Sequence, residues 1–449
     1  MDAEKIVSIA MKEGFDEVVV NIAEASEKYL KIVNSKIDSV VDKRGISGSV
    51  FITKKKRVFF TNIEKVDEAH VKSKIKLARS MVERLPPKED YYGIAYGPFE
   101  YGKSSGSDKE IKEREELVSE FAESSIEGAI SQKGMERSKV YGTVYTEYVK
   151  SELASSGDVH AVEDRTVLRM SMRQINSGTS FQDFALSRDA KGIDPYEFGK
   201  KVGEMTGCVS RVGRIKSGNY DIIYTQSPGG ALLSNINTMA TVGSIETGSP
   251  LKGKMGKAVA AAGVSIYDDR TRMDSIEHSE YDDEGHPTQK TGIIVNGKLR
   301  SYLHNTSTAI KYKTESTGNA GLVEPSAGQM VLTHKKRKKD LEELIREVKR
   351  GILITNTWYT RFSDYLAGNF LTVPRDLAVY IENGEKKFQI RQGEAESMVG
   401  IRISENILRM LQNMELAADD TKQSTSWDSE GTSYFMPSVL VRDSQVSTA

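Results

Sequence analysis

The sequence predicts an α+β fold: an N-terminal α/β region of helices and antiparallel strands, then a β-rich C-terminal domain. Helical periodicity and hairpin-like strand runs alternate through the first part of the chain. Consecutive β-type runs dominate from about residue 216 onward. Asn296-Gly297 and Asn383-Gly384 sit between such runs, and both residues of an Asn-Gly pair tolerate the positive φ that tight hairpins need. The 449 residues exceed one typical domain. Composition divides them into an α/β unit at 1–85, a linker or arm at 86–107, a central α/β unit at 108–215 and the β-rich domain at 216–449.

Taken in order, Ala3, Ile6, Val7, Ala10 and Met11 recur at helical spacing, and Gly14 stands where a C-terminal cap belongs. Short β-type runs follow at 17–23, 28–33, 37–41, 48–53 and 57–61, turned at Asn34-Ser35 and at 54–56. Val71, Ile75, Ala78 and Val82 mark one face of a helix over 67–85, which Pro86-Pro87 stops. The arm beyond it is rich in proline, glycine and tyrosine, a composition that suits a tether or an ordered arm packed on a neighbour. Ser107 and Glu110 have capping-box spacing for a helix running to about Gln132. Strands are expected at 139–150, 160–175 and 180–185. Asp194 then caps a helix with Pro195 at its first position.

The second half opens with a strand at 219–225, broken by Pro228-Gly229-Gly230. Leu232, Leu233, Ile236, Met239 and Ala240 mark an amphipathic helix over 231–243. A β-type run at 259–267 leads to Asp268-Asp269. Asp340 caps a helix over 341–350, Ser404 is a cap for a last helix reaching about residue 416, and a β-type run closes the chain at 438–442.

Composition excludes several functions. A formal net charge of −1 provides no overall field for nucleic acid or a membrane surface. The basic run 334–339 is short and lacks interleaved aromatics, so it reads as a solvated helix entry rather than a nucleic-acid site. No apolar run is long enough to span a bilayer, and residues 1–14 carry charges throughout, unlike a secretory signal. A cytoplasmic location is expected. Cys208, the single cysteine, cannot form an intrachain disulfide and reads as a small buried hydrophobe. Neither a Gly-x-Ser-x-Gly elbow nor a Walker loop is present.

The most informative stretch is the acidic turn Asp282-Asp283-Glu284-Gly285-His286-Pro287-Thr288, then the Asn296-Gly297 hairpin, then Ser316-Thr317-Gly318-Asn319-Ala320. This ordered block resembles the C-terminal domain of the TldD/PmbA family, also called the modulator of DNA gyrase family. The segments "ITNTWYTRFSDYLAGNFLTVPRD" and "AVYIENGEKKFQI" resemble it too, and the N-terminal α–β–β–α order is similar to the family's first domain. In the TldD branch a helix carries His-Glu-x-x-x-His and a later Cys completes a zinc site. The TldE (PmbA) branch lacks those ligands and pairs with a TldD subunit.

Carried onto this chain, the resemblance puts the ligand positions at Ser234 and Met239 and the general-base position at Asn235. No His, Glu or Asp lies between Ser227 and Ile245, and Ser, Asn and Met do not replace imidazole and carboxylate on zinc. The segment where the family's third ligand would sit reads "STSWDSEGTSY", without cysteine. The resemblance therefore implies the non-metallated branch, with no cofactor in this chain and zinc in a TldD-like partner. His278, His286 and His304 lie near Glu277, Glu280 and Asp282; they are either turn histidines or an unorthodox metal site, and their spacing matches no helical ligand pair.

The function implied is that of a non-metallated subunit of a heterodimeric TldD/TldE-type metallopeptidase, shaping a chamber and binding extended, unfolded peptides for proteolysis. Candidate chamber residues are Ser234, Asn235, Met239, Gly285, Thr288, Thr317, Gly318, Asn319 and Tyr359. Tyr359, Phe362, Tyr365 and Phe370 read either as core packing or as a cleft lining. Two other functions remain open: a stand-alone homodimeric peptide- or protein-binding protein without proteolysis, and a hydrolase with unrecognised ligands.

Overall fold

The computed structural model describes residues 1–102, 106–390, 400–427 and 432–448. Helix α1 (Ala3–Lys12) is capped by the Asp2 carboxylate, which accepts from the Lys5 N–H. Strands β1 (Glu17–Val33), β2 (Lys36–Lys54) and β3 (Arg57–Ile63) form two hairpins. Their turns lie at Asn34-Ser35 and Lys55-Lys56, all four at positive φ between 50° and 62°. The five short runs expected here merge into three strands. The mainly polar stretches 24–27 and 42–47 continue the ladder, mostly half-buried on β1 and exposed on β2.

Helix α2 (Glu68–Val82) follows, capped by Asp67. After the arm come α3 (Lys109–Glu113), α4 (Leu117–Ile130), β4 (Lys139–Ser155), β5 (Val159–Asn176), β6 (Thr179–Ser187) and α5 (Pro195–Thr206). The expected capping box is not formed. Asp108 caps α3 by accepting from Ile111 N–H, while Ser107 turns away to donate to Asp164, and the helix breaks at Arg114. β4 pairs with β1 along almost its whole length, so all six strands make one antiparallel sheet in the order β3-β2-β1-β4-β5-β6. The stretches 1–85 and 108–215 thus share a sheet. The arm between them is ordered where described: Tyr91 and Ile94 join a core with Leu153, Val159 and Tyr281, and Phe99 and Tyr101 pack against it.

The C-terminal half begins with β7 (Val212–Gly213) and β8 (Gly218–Tyr224), then α6 (Gln226–Met239) and α7 (Val242–Thr247). β8 lies inside an eleven-stranded sheet, parallel to Arg350–Ile354 and antiparallel to Val439–Thr448. A separate six-stranded sheet is built on Val264–Asp269, Lys290–Val295, Met330–His334 and Tyr434–Met436. Ile222 and Tyr224 of β8, Leu233 and Ile236 of α6, and Ile266 and Leu332 of the six-stranded sheet share one core. The opposite face of the larger sheet, through Ile223 and Leu353, joins the core under α4 and α5. The α+β class, with an antiparallel N-terminal sheet and a β-rich C-terminal domain, is what the structure has.

Local differences have local causes. Pro228-Gly229-Gly230 lies inside the first turn of α6, where the absent proline N–H has no partner to lose. Ser404 sits in the strand Ile401–Asn406; Asn406 caps the short helix Ile407–Gln412 instead, accepting from Leu408 and Arg409 N–H. Helix Leu341–Arg346 keeps its Asp340 cap but ends early, because Arg350 and Gly351 enter a strand. Among the described residues no helix is long and apolar enough to cross a membrane.

Candidate functional site

Helix α6 starts at the end of β8, with Thr225 as its N-cap. Its first turn is pressed onto the strand Tyr434–Met436. A Cβ at Gly230 would overlap the Tyr434 ring, and one at Gly229 would approach the Met436 methyl at 2.7 Å. The Tyr434 hydroxyl donates to the Ser227 carbonyl at 2.8 Å. This close approach brings the helix and the described parts of the 424–434 segment, the two places where the resemblance puts metal ligands, to one cavity.

That cavity has a volume of about 370 Å³, and its wall includes Ser234, Asn235 and Thr238 of α6, Gly328, Arg361 and Ser433. Ser234 Oγ and Asn235 Nδ2 donate back to the Ala231 carbonyl, each at 3.3 Å. Met239 is 0% exposed and belongs to the core rather than to the wall. None of the described lining residues is His, Cys, Asp or Glu. Hydroxyl and amide oxygens of this kind do not make a zinc donor set. Residues 428–431 of the third-ligand segment, with Asp428 and Glu430, lie outside the described residues.

Behind the wall Asp268 acts as a hub. It accepts from Asn237 Nδ2 of α6 at 3.0 Å, from Asn319 Nδ2 at 3.2 Å and from Gly328 N–H at 2.6 Å. Burial pushes its carboxyl above the usual aspartate range, opposed by Arg270 and by these donors. Asn319 is thus close to α6 but one layer back. Thr317 closes a turn by accepting from His304 N–H and donating to His304 O. Gly318 has φ +65°, and a Cβ there would meet the Pro287 carbonyl at 2.5 Å. In the acidic turn, Asp282 accepts from the N–H groups of Glu284, His286 and Ala320. Gly285 packs on Leu153 and Val159, its carbonyl accepting from Tyr101 Oη at 2.6 Å. Thr288 Oγ1 donates to the Ser279 carbonyl. Gly285, Thr288, Thr317 and Gly318 therefore shape loops packed on each other and on the N-terminal sheet, and none of them lines the cavity.

The histidines are held separately. His278 lies between the Arg270 carbonyl and Glu280, His286 packs on Phe99 at a tilt with Nδ1 against the Pro287 carbonyl, and the buried His304 meets the Tyr312 ring edge-on. Among the described residues no three His, Cys, Asp or Glu side chains form a metal-binding group. Cys208 packs beside the core under α4 and α5, and burial pushes its thiol up.

Sequence reasoning missed part of the rim. The protein's two tryptophans meet there: Trp358 and Trp427 pack edge to face at 5.0 Å, and the Arg375 guanidinium lies over both rings at 4.6 and 4.8 Å. Trp427 Nε1 donates to the Thr357 carbonyl at 2.7 Å. Tyr359, 46% exposed, packs on Trp427 and carries the Arg361 guanidinium over its ring. Phe370, grouped with it by sequence, is core. The presence of only two tryptophans, far apart in sequence, was the available signal.

A family model described as the PmbA/TldA metallopeptidase C-terminal domain matches residues 217–448. A metalloprotease of Methanothermobacter thermautotrophicus is 28% identical over 234 residues, 51% of this chain and 49% of that protein, so the match spans about half of that relative. TldE from Thermococcus kodakarensis has the same fold, with a TM-score of 0.87 at 20% identity over 99% of both chains. A proposed modulator of a DNA gyrase from Thermotoga maritima has a TM-score of 0.83 at 24% identity, again over 99% of both chains. With the family model covering more than half of its residues and the fold shared from end to end, the chain belongs to the PmbA/TldD family.

Proposed function

We propose that this chain is the non-metallated, TldE-like subunit of a TldD/TldE-type heterodimeric metallopeptidase, and that it holds extended, unfolded polypeptide while a zinc-bearing partner cuts it. The observation that carries this reading is the cavity beside α6. The family's two ligand-bearing segments converge on it, yet its described wall offers Ser234, Asn235 and Ser433 where zinc would need imidazole, thiolate or carboxylate. A second feature supports peptide holding. Thr357–Asp364, which contributes Thr357, Trp358, Thr360 and Arg361 to the wall, is among the described residues the outermost strand on its side of the eleven-stranded sheet. An outermost strand can pair with an extended chain through backbone hydrogen bonds, whatever the sequence of that chain.

The test is reconstitution. The chain alone is expected to bind no stoichiometric zinc and to leave an unfolded protein intact. Co-expressed with a His-Glu-x-x-x-His relative from the same source, it is expected to form a zinc-containing complex that degrades that substrate. About one zinc per lone chain with accompanying peptidase activity would overturn the reading. A stable homodimer that binds peptide and ignores every such relative would replace it with the stand-alone binding protein.

A further inference from the structure

The cavity beside α6 has neighbouring recesses at its aromatic rim, where Trp358 of its wall packs on Trp427. On the other side of Trp427 and Arg375, the open face of the N-terminal sheet carries a groove of about 450 Å³. A second groove of about 260 Å³ shares Tyr29, Thr143 and Ser171 with it and reaches Thr425. Strand register explains the surface. Tyr29 of β1 stands opposite Tyr145 of β4, which stands opposite Arg169 of β5; one step along, Lys31, Thr143 and Ser171 are aligned in the same way. Side chains on alternate residues share a face, so aromatic and cationic groups form rows across the sheet. The Arg169 guanidinium lies over the Tyr145 ring at 5.5 Å.

The charges in this path are of one sign. Lys31, Arg169, Arg173 and Arg375 line the two grooves, Arg361 lines the cavity, and no Asp or Glu is among the described lining residues of the three. Arg173 and Arg375 are both paired with Asp376, at 2.6 and 3.6 Å, but that carboxylate is fully buried and also accepts from Ser180 and Asn356. Glu27 and Glu147, facing each other on β1 and β4, lie just past Tyr29 and Tyr145 and end the cationic stretch. A concave, single-sign surface on a chain of net charge −1 concentrates the opposite charge locally.

We propose that this groove is a selecting subsite for acidic segments of unfolded polypeptide, leading them past Trp427 into the cavity beside α6. Carboxylates are drawn to Lys31 and Arg169, and apolar groups lie on the tyrosines. The proposal rests on the peptide-holding reading above. A cationic, aromatic face also suits single-stranded nucleic acid, but this groove adjoins, where Trp427 packs on Trp358, a cavity bordered by a strand that is outermost among the described residues, which suits an extended polypeptide backbone.

The experiment measures fluorescence anisotropy of labelled, unstructured peptides of equal length, Glu/Ser/Gly, Gln/Ser/Gly and Lys/Ser/Gly, on the purified chain. The acidic peptide is expected to bind about tenfold tighter than the neutral one, as charge-assisted contacts allow, with the preference shrinking at raised salt. Lys31→Glu with Arg169→Glu should remove the preference, and Lys76→Glu, exposed on α2, should keep it. The exposed Lys31→Ala alone should reduce it, which guards against misfolding of the double variant. Equal binding of all three peptides, or a preference that survives charge reversal in a folded variant, overturns the proposal. So does oligo-dT displacing the acidic peptide, or a reversed variant that binds peptide as before but no longer pairs with the zinc subunit. A mixed complex that degrades acidic and basic substrates equally removes this subsite and leaves the subunit reading intact. Acidic-peptide binding through the groove without any proteolytic complex does the reverse.

Discussion

Asn237 of α6 and Asn319 of the 316–320 loop donate their side-chain amides to the same buried carboxylate, Asp268, at 3.0 and 3.2 Å. This shared acceptor ties the wall of the cavity to a loop far along the chain. Asp268→Ala removes the acceptor of the Asn237 amide and the Gly328 N–H and one of the two acceptors of the Asn319 amide, which keeps the Ser326 carbonyl, and should destabilise by about 2–4 kcal/mol. Asn237→Ala removes one donor and should cost about 1 kcal/mol. Denaturant melts of the two variants test the ranking, and equal losses would contradict it.

The glycines separate backbone strain from steric clash. Gly14 and Gly318 both have positive φ, +81° and +65°, but only Gly318 has a carbonyl in the path of a Cβ, whereas at Gly14 nothing lies within 4 Å. Gly14→Ala should cost about 1 kcal/mol for the left-handed conformation alone. Gly318→Ala adds displacement of Pro287 and should cost roughly 2–4 kcal/mol. Similar thermal midpoints for the two would refute the packing account.

Glu284 gives a pH dependence with a definite sign. Burial, and then the Asp282 charge beside it, holds its carboxyl above the ordinary glutamate range, although Thr306 N–H faces it. Asp282, already accepting three backbone N–H groups, is the better-suited carboxylate of the two. The stability contributed by protonated Glu284 is fully present below its unfolded pKa and is lost as pH rises through the raised folded one. Thermal midpoints should therefore fall from acid toward mildly alkaline pH, and Glu284→Gln should flatten that slope. An unchanged slope in the variant would place the dependence elsewhere.

At the rim, Trp427→Ala removes the edge-to-face partner of Trp358 and one platform of Arg375. The expected loss is about 1–2 kcal/mol, with red-shifted emission from the remaining tryptophan. Trp427→Phe should recover most of the stability. If the emission of the Ala variant does not move, the two rings are not packed in solution.

How much could be read in advance depended on how local the physics was. Asn296-Gly297 and Asn383-Gly384 turn hairpins with φ values of 51°, 77°, 52° and 75°, because two residues decide such a turn. Ser234 and Asn235 come from laying the family's motif along one helix, and both line the cavity. Trp358, Arg375 and Trp427 are not singled out by sequence, since tertiary packing brings them together across long sequence separations. Gly285 and Gly318 are candidate chamber residues by sequence, and both sit at positive φ in packed corners, a use of small residues that sequence does not distinguish from peptide contact. The Pro-Gly-Gly triplet looked like a break because its need for small residues comes from Tyr434 and Met436, far downstream.

The pairing of β1 with β4 has a consequence for how the chain is made. β1 acquires its first partner, β2, at once, but its other edge waits for β4, roughly a hundred residues later. At ribosomal rates of about 5–20 residues per second, that edge stays open for roughly 5–20 s during synthesis. An open edge with the alternating apolar face of Val18, Val20, Leu30 and Ile32 is a template for wrong pairing. The nascent protein is most vulnerable to aggregation in that interval, before residue 155 has emerged and the sheet can close.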